Sequence, residues 1–307
     1  MIARVLMLLT AVIAVASCAE KKPVNQVSQT ESHPIRLFTH RDTSESMLNM
    51  LYVRSPWDEN EYMALDFPEH SWGTNFSGVS TDTRDGLPHP SRWKFNSDST
   101  EAWYEVNTRD GNLFRASASV DSMAVRTEMR FTNRTQQPIS DIRILVCTRP
   151  HTMAAFADTS FAMTWVAVDG IPVQLGEGTT MIGEVPEDHV RHVMNVRGGP
   201  DNRELDDLGW FSASWSIPFC RLTEELSWPP VVAVHARGDM TRWLGTIWNP
   251  SRAIFSNPRI PCIHSDPVPE ECAPGESTVT RGAVFFHDGT MEGLIVRADR
   301  WQGSMTE

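Results

Sequence analysis

The stretch Ala124-Val125-Arg126-Thr127-Glu128-Met129-Arg130-Phe131 decides the fold class. Val125, Thr127, Met129 and Phe131 alternate with Arg126, Glu128 and Arg130. Successive side chains of a strand point to opposite faces, so this period of two predicts one buried and one wet face. Residues 141–146 repeat the pattern through Ile142, Ile144 and Val146, and the polar segment 133–138 between the two runs reads as a turn joining antiparallel neighbours. Upstream, residues 102–108 and 113–120 flank Asp110-Gly111, a hairpin signal because the tight turn wants positive φ. Downstream, residues 161–168, 171–175, 211–217, 231–236, 242–248 and 279–287 are further strand candidates. Residues 186–207 are polar and carry Gly198-Gly199, which predicts a long loop. Helical spacing occurs only over residues 290–301, where Met291, Leu294, Ile295 and Ala298 share a face after Gly289. The expectation is an all-β chain, a large antiparallel β-sandwich with a short C-terminal helix.

The N-terminus has a different character. Arg4 precedes an almost unbroken apolar run over residues 5–16, too short to span about 30 Å of hydrocarbon as a helix. The run ends in Val15-Ala16-Ser17-Cys18, which resembles the lipobox of bacterial lipoproteins. That resemblance implies a signal peptide over residues 1–17, lipidation of Cys18 and anchoring to a membrane of the bacterial cell envelope, facing the periplasm or exterior. Ser17-Cys18-Ala19 also fits the cleavage site of an ordinary secretory peptide, which would release a soluble product. Residues 18–34 are polar, bury too little to fold, and read as a flexible tether; residues 35–307 remain for a single sandwich domain.

Composition narrows the partners. The formal net charge is -12, with no basic cluster beyond Lys21-Lys22, which argues against nucleic acid. There are 11 Trp against 3 Tyr, and an indole face suits stacking on a sugar ring as well as ordinary core packing. With Cys18 acylated, Cys147, Cys220, Cys262 and Cys272 remain, an even number compatible with disulfides in an exported domain. Cys262 and Cys272 flank a Pro-rich loop and form a candidate bridge. None of the four has metal-ligand spacing.

A second resemblance covers about residues 95–300. The order of short strands, with Cys262-Ile263-His264-Ser265-Asp266-Pro267, the turn Pro274-Gly275-Glu276, the strand from Arg281-Gly282 to Phe286 and a terminal helix, resembles the galactose-mutarotase-like supersandwich. The resemblance implies a sugar-binding sheet face and, in enzymes of that family, a His acid and a Glu base. No residue of this chain can be matched to that pair.

Three constellations could carry chemistry. His264-Ser265-Asp266 cannot form a catalytic triad from three consecutive residues, but His264 and Asp266 share a face if extended and suit ligand hydrogen bonding. His235 and Arg237 project to one side of a strand, near Trp243 and Trp248, as donors for hydroxyls or a uronic carboxylate. His189 and His192 have helical spacing but lack a third ligand, as does His70 near Asp66 and Glu69, so neither a metal nor a cofactor is expected. The candidate ligand-binding set is therefore His235, Arg237, Trp243, Trp248, His264 and Asp266. The leading expectation is an envelope lipoprotein that binds carbohydrate. The rivals are an assembly lipoprotein binding a protein partner, and a lyase or hydrolase in which His, or one of Tyr52, Tyr62 and Tyr104, abstracts a proton.

Overall fold

Alternation of buried and exposed side chains is written along strand after strand of the chain. The computed structural model describes residues 34–39, 50–81, 87–88, 92–175, 180–181, 191–199, 220–257 and 260–305. The strands of the first half are β1 (Leu37–Phe38), β2 (Leu51–Arg54), β3 (Tyr62–Thr74), β4 (Phe76–Val79), β5 (Lys94–Phe95), β6 (Glu101–Asn107), β7 (Leu113–Asp121), β8 (Ala124–Thr132) and β9 (Ser140–Arg149). Those of the second half are β10 (Thr164–Val168), β11 (Ile171–Gln174), β12 (Thr180–Met181), β13 (Arg191–Val196), β14 (Cys220–Ala236), β15 (Asp239–Asn249), β16 (Ser251–Asn257), β17 (Cys262–Pro267) and β18 (Ser277–Asp288). Helix α1 (Met291–Gly303) follows. The expected all-β architecture with a short C-terminal helix is present.

Strand pairing forms two ladders. The first runs β5-β6-β7-β8-β18-β15-β14-β10-β11, antiparallel throughout. The second runs β1-β2-β3-β9-β17-β16-β13-β14, antiparallel except where β13 lies parallel to β14. Strand β14 belongs to both ladders: its N-terminal part, to Ser227, pairs with β13, and its C-terminal part, from Val231, pairs with β15. Pro229 and Pro230 sit between the two parts, and with no N–H to donate they cannot continue either ladder.

One core joins the inward faces. From the first ladder come Phe114, Ala116, Val125, Met129, Phe131, Val232, Val234, Leu244, Trp248, Val284 and Phe286. From the second come Leu51, Val53, Met63, Leu65, Phe67, Ile144, Val146, Ile254 and Ile263. The outward face of the first ladder carries a second apolar cluster, because Trp243, Ile247, Ala283 and Phe285 pack under Met291, Leu294, Ile295 and Ala298 of α1. The helix starts at Thr290, whose side chain accepts the Gly293 N–H, and its buried residues follow the expected spacing. Burying each of its larger apolar side chains contributes about 1.5–3 kcal/mol.

Two expectations are corrected. β8 and β9 are not neighbours: β8 pairs with β7 and β18, while β9 pairs with β3 and β17. The segment between them is a crossover. Asn133 donates its backbone N–H to Glu276 O at 2.9 Å and its side-chain amide to Gln137 O and Cys272 O, so its hydrogen bonds point across to residues 272–276. Within the expected loop 186–207, Arg191–Val196 is strand β13: Met194 and Val196 are inward core residues, Met194 pairing with both β14 and β16 and Val196 with β14. The Asp110-Gly111 hairpin is as expected, with Gly111 at φ +91°. The expected strand at 211–217 lies outside the described residues.

Packing at the centre of the first ladder generates a prediction. A Cβ on Gly282 would stand 2.4 Å from the Trp248 ring and 2.7 Å from Thr127 Oγ1. Gly282→Ala should lower stability by about 1–3 kcal/mol in urea unfolding, as overpacking does. A change below about 0.5 kcal/mol, the range of an ordinary surface substitution, would mean that this contact is not made.

Candidate functional site

The six candidate residues from the sequence fall in separate places. His235 and Trp243 are cross-strand partners on the outward face of the first ladder, and both are buried. Their rings meet edge-on at 5.2 Å, and the Trp243 Nε1–H is held by Met240 O and Gly289 O. Arg237 is in the turn after β14, exposed, and donates to Ala157 O. Trp248 points inward against Phe67. His264 and Asp266 lie on the outward face of the second ladder. Neither Trp243 nor Trp248 offers a free indole face to a ligand: both side chains are core.

Two regions gather polar side chains. The first is a groove of about 400 Å³ on the outward face of the first ladder, running to the C-terminal end of α1. Its floor is Glu101 and Trp103 of β6, Arg115, Ser117 and Ser119 of β7, Arg126 and Glu128 of β8 and Arg281 of β18; Trp301 and Met305 close one end. Alternation explains the floor: Ala102, Tyr104, Ala116 and Ala118 point into the core, so their neighbours must point out. Arg281 meets Glu128 through Nε at 3.2 Å, Arg130 meets the same carboxylate at 3.2 Å, and Arg126 pairs with Asp121. Such exposed pairs are weak and exchange readily with a ligand's polar groups.

The second region lies on the outward face of the second ladder, where charge is buried. Arg149 of β9 reaches Glu69 Oε1 at 3.0 Å and Asp66 Oδ2 at 3.4 Å, and its Nε donates to Cys147 Sγ at 3.1 Å. Along β17, Cys262, His264 and Asp266 are alternate residues and line one face. Cys262 Sγ is 3.2 Å from His264 Nε2, and His264 Nδ1 is 3.4 Å from Asp266 Oδ1. Asp266 Oδ1 also accepts the Val146 N–H at 2.9 Å, and Phe255 stacks on the imidazole at 3.8 Å. The consecutive residues His264-Ser265-Asp266 do not converge; the i, i+2, i+4 set does. Beside this network Phe38, Tyr52, Tyr62 and His151 form an aromatic cluster with ring centroids 5.0–5.5 Å apart.

The electrostatics of the β17 row favour an ion pair. A hydrogen bond from the Cys147 thiol, reinforced by His264, pushes the Cys262 thiol well below the usual thiol range against the effect of burial. Burial opposes charge on His264, but the Cys262 sulfur and Asp266 outweigh it and raise the imidazole. Burial raises Cys147 and Asp266. Both shifts favour a Cys262 thiolate facing a His264 imidazolium over the neutral thiol and imidazole.

The proposed Cys262–Cys272 bridge is not formed. Both cysteines are free, and they serve opposite faces: Cys262 points outward with Cys147 and His264, whereas Cys272 is an inward core residue beside the bridge to Ile139. Cys147, Cys262 and His264 place three donor atoms within 4.8 Å of one another, a juxtaposition that sequence spacing did not reveal because Cys147 comes from a different strand. Of the His189/His192 pair, His189 and the side chain of His192 lie outside the described residues.

No protein-family model matches the sequence, and no curated protein matches it. Solved structures with a similar course of the chain include a galactose mutarotase related enzyme from Lactobacillus acidophilus, at 7% identity and TM-score 0.40, covering 83% of this chain and 98% of that one. A galactose mutarotase-like protein from Clostridium acetobutylicum aligns at 7% identity and TM-score 0.38 over 84% and 99% of the two chains. A GH36 α-galactosidase from Geobacillus stearothermophilus, crystallised with raffinose, aligns at 12% identity and TM-score 0.36 over 82% of this chain and 36% of that one.

The ion pair can be read spectroscopically. The reduced protein at pH 7 should show the ultraviolet absorbance of one thiolate, lost in Cys262→Ser and kept in Cys272→Ser. Absorbance that rises only in the ordinary alkaline range of cysteine would contradict the arrangement.

Proposed function

We propose that the protein is a lipid-anchored component of a bacterial cell envelope that binds carbohydrate, and that the groove beside Trp103 holds the sugar. The observation that carries this reading is the composition of one groove. A partly exposed indole, three arginines, two glutamates and two serines share about 400 Å³ on a rigid sheet. A pocket of that size accommodates a small organic ligand. An indole takes the apolar C–H face of a sugar ring, while serine hydroxyls and glutamates suit its hydroxyl edge.

The three arginines favour an acidic sugar. Arg281 lines the groove and uses Nε on Glu128, and a guanidinium fork matches both oxygens of a uronic carboxylate. Because the floor consists of paired strands and not of loops, the backbone that carries the donors is held in place before the ligand arrives. Anchoring through Cys18 would keep the groove near the polymers of the envelope, on the tether of residues 18–34.

One experiment tests both halves of the proposal. Affinity electrophoresis of the purified protein through gels containing acidic or neutral glycans should retard wild type. Trp103→Ala should weaken retention of the preferred glycan about 10-fold, the loss of about 1.4 kcal/mol of stacking and burial. Cell fractionation should place wild type with membranes and Cys18→Ala in the soluble fraction. Unretarded migration in every glycan would remove the binding reading; unchanged membrane association of Cys18→Ala would remove the anchor.

A further inference from the structure

We infer that Cys147, Cys262 and His264 form a binding site for a soft, monovalent d10 cation, Cu(I), built into the outward face of the second ladder. The three donor atoms lie within 4.8 Å of one another, and all three residues are buried. Around a shared ion with metal–sulfur bonds of about 2.3 Å and a metal–nitrogen bond of about 2.0 Å, trigonal donors stand about 4 Å apart. Small side-chain adjustments reach that spacing from the observed one.

The surroundings are those of a metal site on both sides. His264 turns Nε2 toward the sulfurs and Nδ1 toward Asp266 Oδ1 at 3.4 Å, the carboxylate–imidazole order that fixes ring orientation behind a metal. Asp266 is itself held by the Val146 N–H, and Phe255 stacks on the imidazole at 3.8 Å, so the ring has little freedom to turn away. On the opposite flank Arg149 Nε donates to Cys147 Sγ at 3.1 Å, a hydrogen bond that offsets thiolate charge.

Donor type and number select the ion. Two sulfurs and one imidazole are soft ligands, which suit Cu(I) and Zn(II) and repel Mg(II) or Ca(II). Zn(II) is almost always four-coordinate in a closed site. Among the described residues the nearest carboxylates have other contacts, Asp266 through Oδ1 with the ring and the Val146 N–H, and Asp66 and Glu69 with Arg149, and three donors group together. Three-coordination is natural for Cu(I).

The test is an anaerobic titration of the reduced full chain in detergent with Cu(I), against a competing Cu(I) chelator, followed by X-ray absorption at one equivalent. The expected result is one tightly held Cu(I) with two sulfur scatterers and one nitrogen. Affinity should fall at least 100-fold in Cys262→Ser and Cys147→Ser, and about 10–100-fold in Asp266→Asn, which touches no metal. Cys272→Ser and Cys220→Ser should bind as wild type does. Should the cysteine variants fail to fold, the scattering shell of the wild type decides alone. No binding, a shell without two sulfurs, tighter retention of Zn(II) than of Cu(I), or a Cys147–Cys262 disulfide in protein purified without air would each overturn the proposal.

Discussion

A strand side chain has only two directions in which to point, and in this protein both are spoken for. The inward rows of two ladders must meet in one apolar core, which forces every second residue outward whatever its chemistry. Strand β14 couples the ladders, since its two ends pair in different ladders on either side of Pro229-Pro230. With the inward rows fixed by burial, the outward rows become the places where specific chemistry can be displayed without disturbing the core.

The two outward faces have been used differently. Part of the first is sealed by α1, which covers Trp243, Ile247 and Phe285; the rest is open and carries the Trp103 groove with its exchangeable surface ion pairs. On the second face charge is buried, with Asp66, His264 and Asp266 almost inaccessible. Buried charges are costly unless partnered, and the contacts of Arg149 with Asp66 and Glu69 and of His264 with Cys262 and Asp266 supply partners. An open polar groove and a buried cluster of charged and sulfur-bearing side chains thus occupy the outward faces of the two ladders.

This division explains what could be read from the sequence. The first ladder was legible because its open outward face is polar: Arg126, Glu128 and Arg130 punctuate the buried Val125, Met129 and Phe131. The helix was legible from Met291, Leu294, Ile295 and Ala298. Much of the second ladder was not. β3 carries Asp66, Pro68 and His70 among its apolar residues, and every residue of β16 and β17 is buried, so alternation is masked. The same limit hid the sites. Trp103 was readable in principle, as the outward residue between the inward Ala102 and Tyr104, but Trp243 and Trp248 drew attention by their proximity to His235 and Arg237. The partnership of Cys147 with Cys262 depends on the pairing of β9 with β17, at Thr148 opposite Ile263, which no local pattern encodes.

Whether the Trp103 groove holds a sugar is decided by a crystal structure of the protein with a bound acidic oligosaccharide. The expected structure has a sugar ring lying flat on Trp103, with its carboxylate within hydrogen-bonding distance of the Arg126 or Arg281 guanidinium. A sugar seated on the second ladder, or an empty groove at saturating ligand, would contradict it.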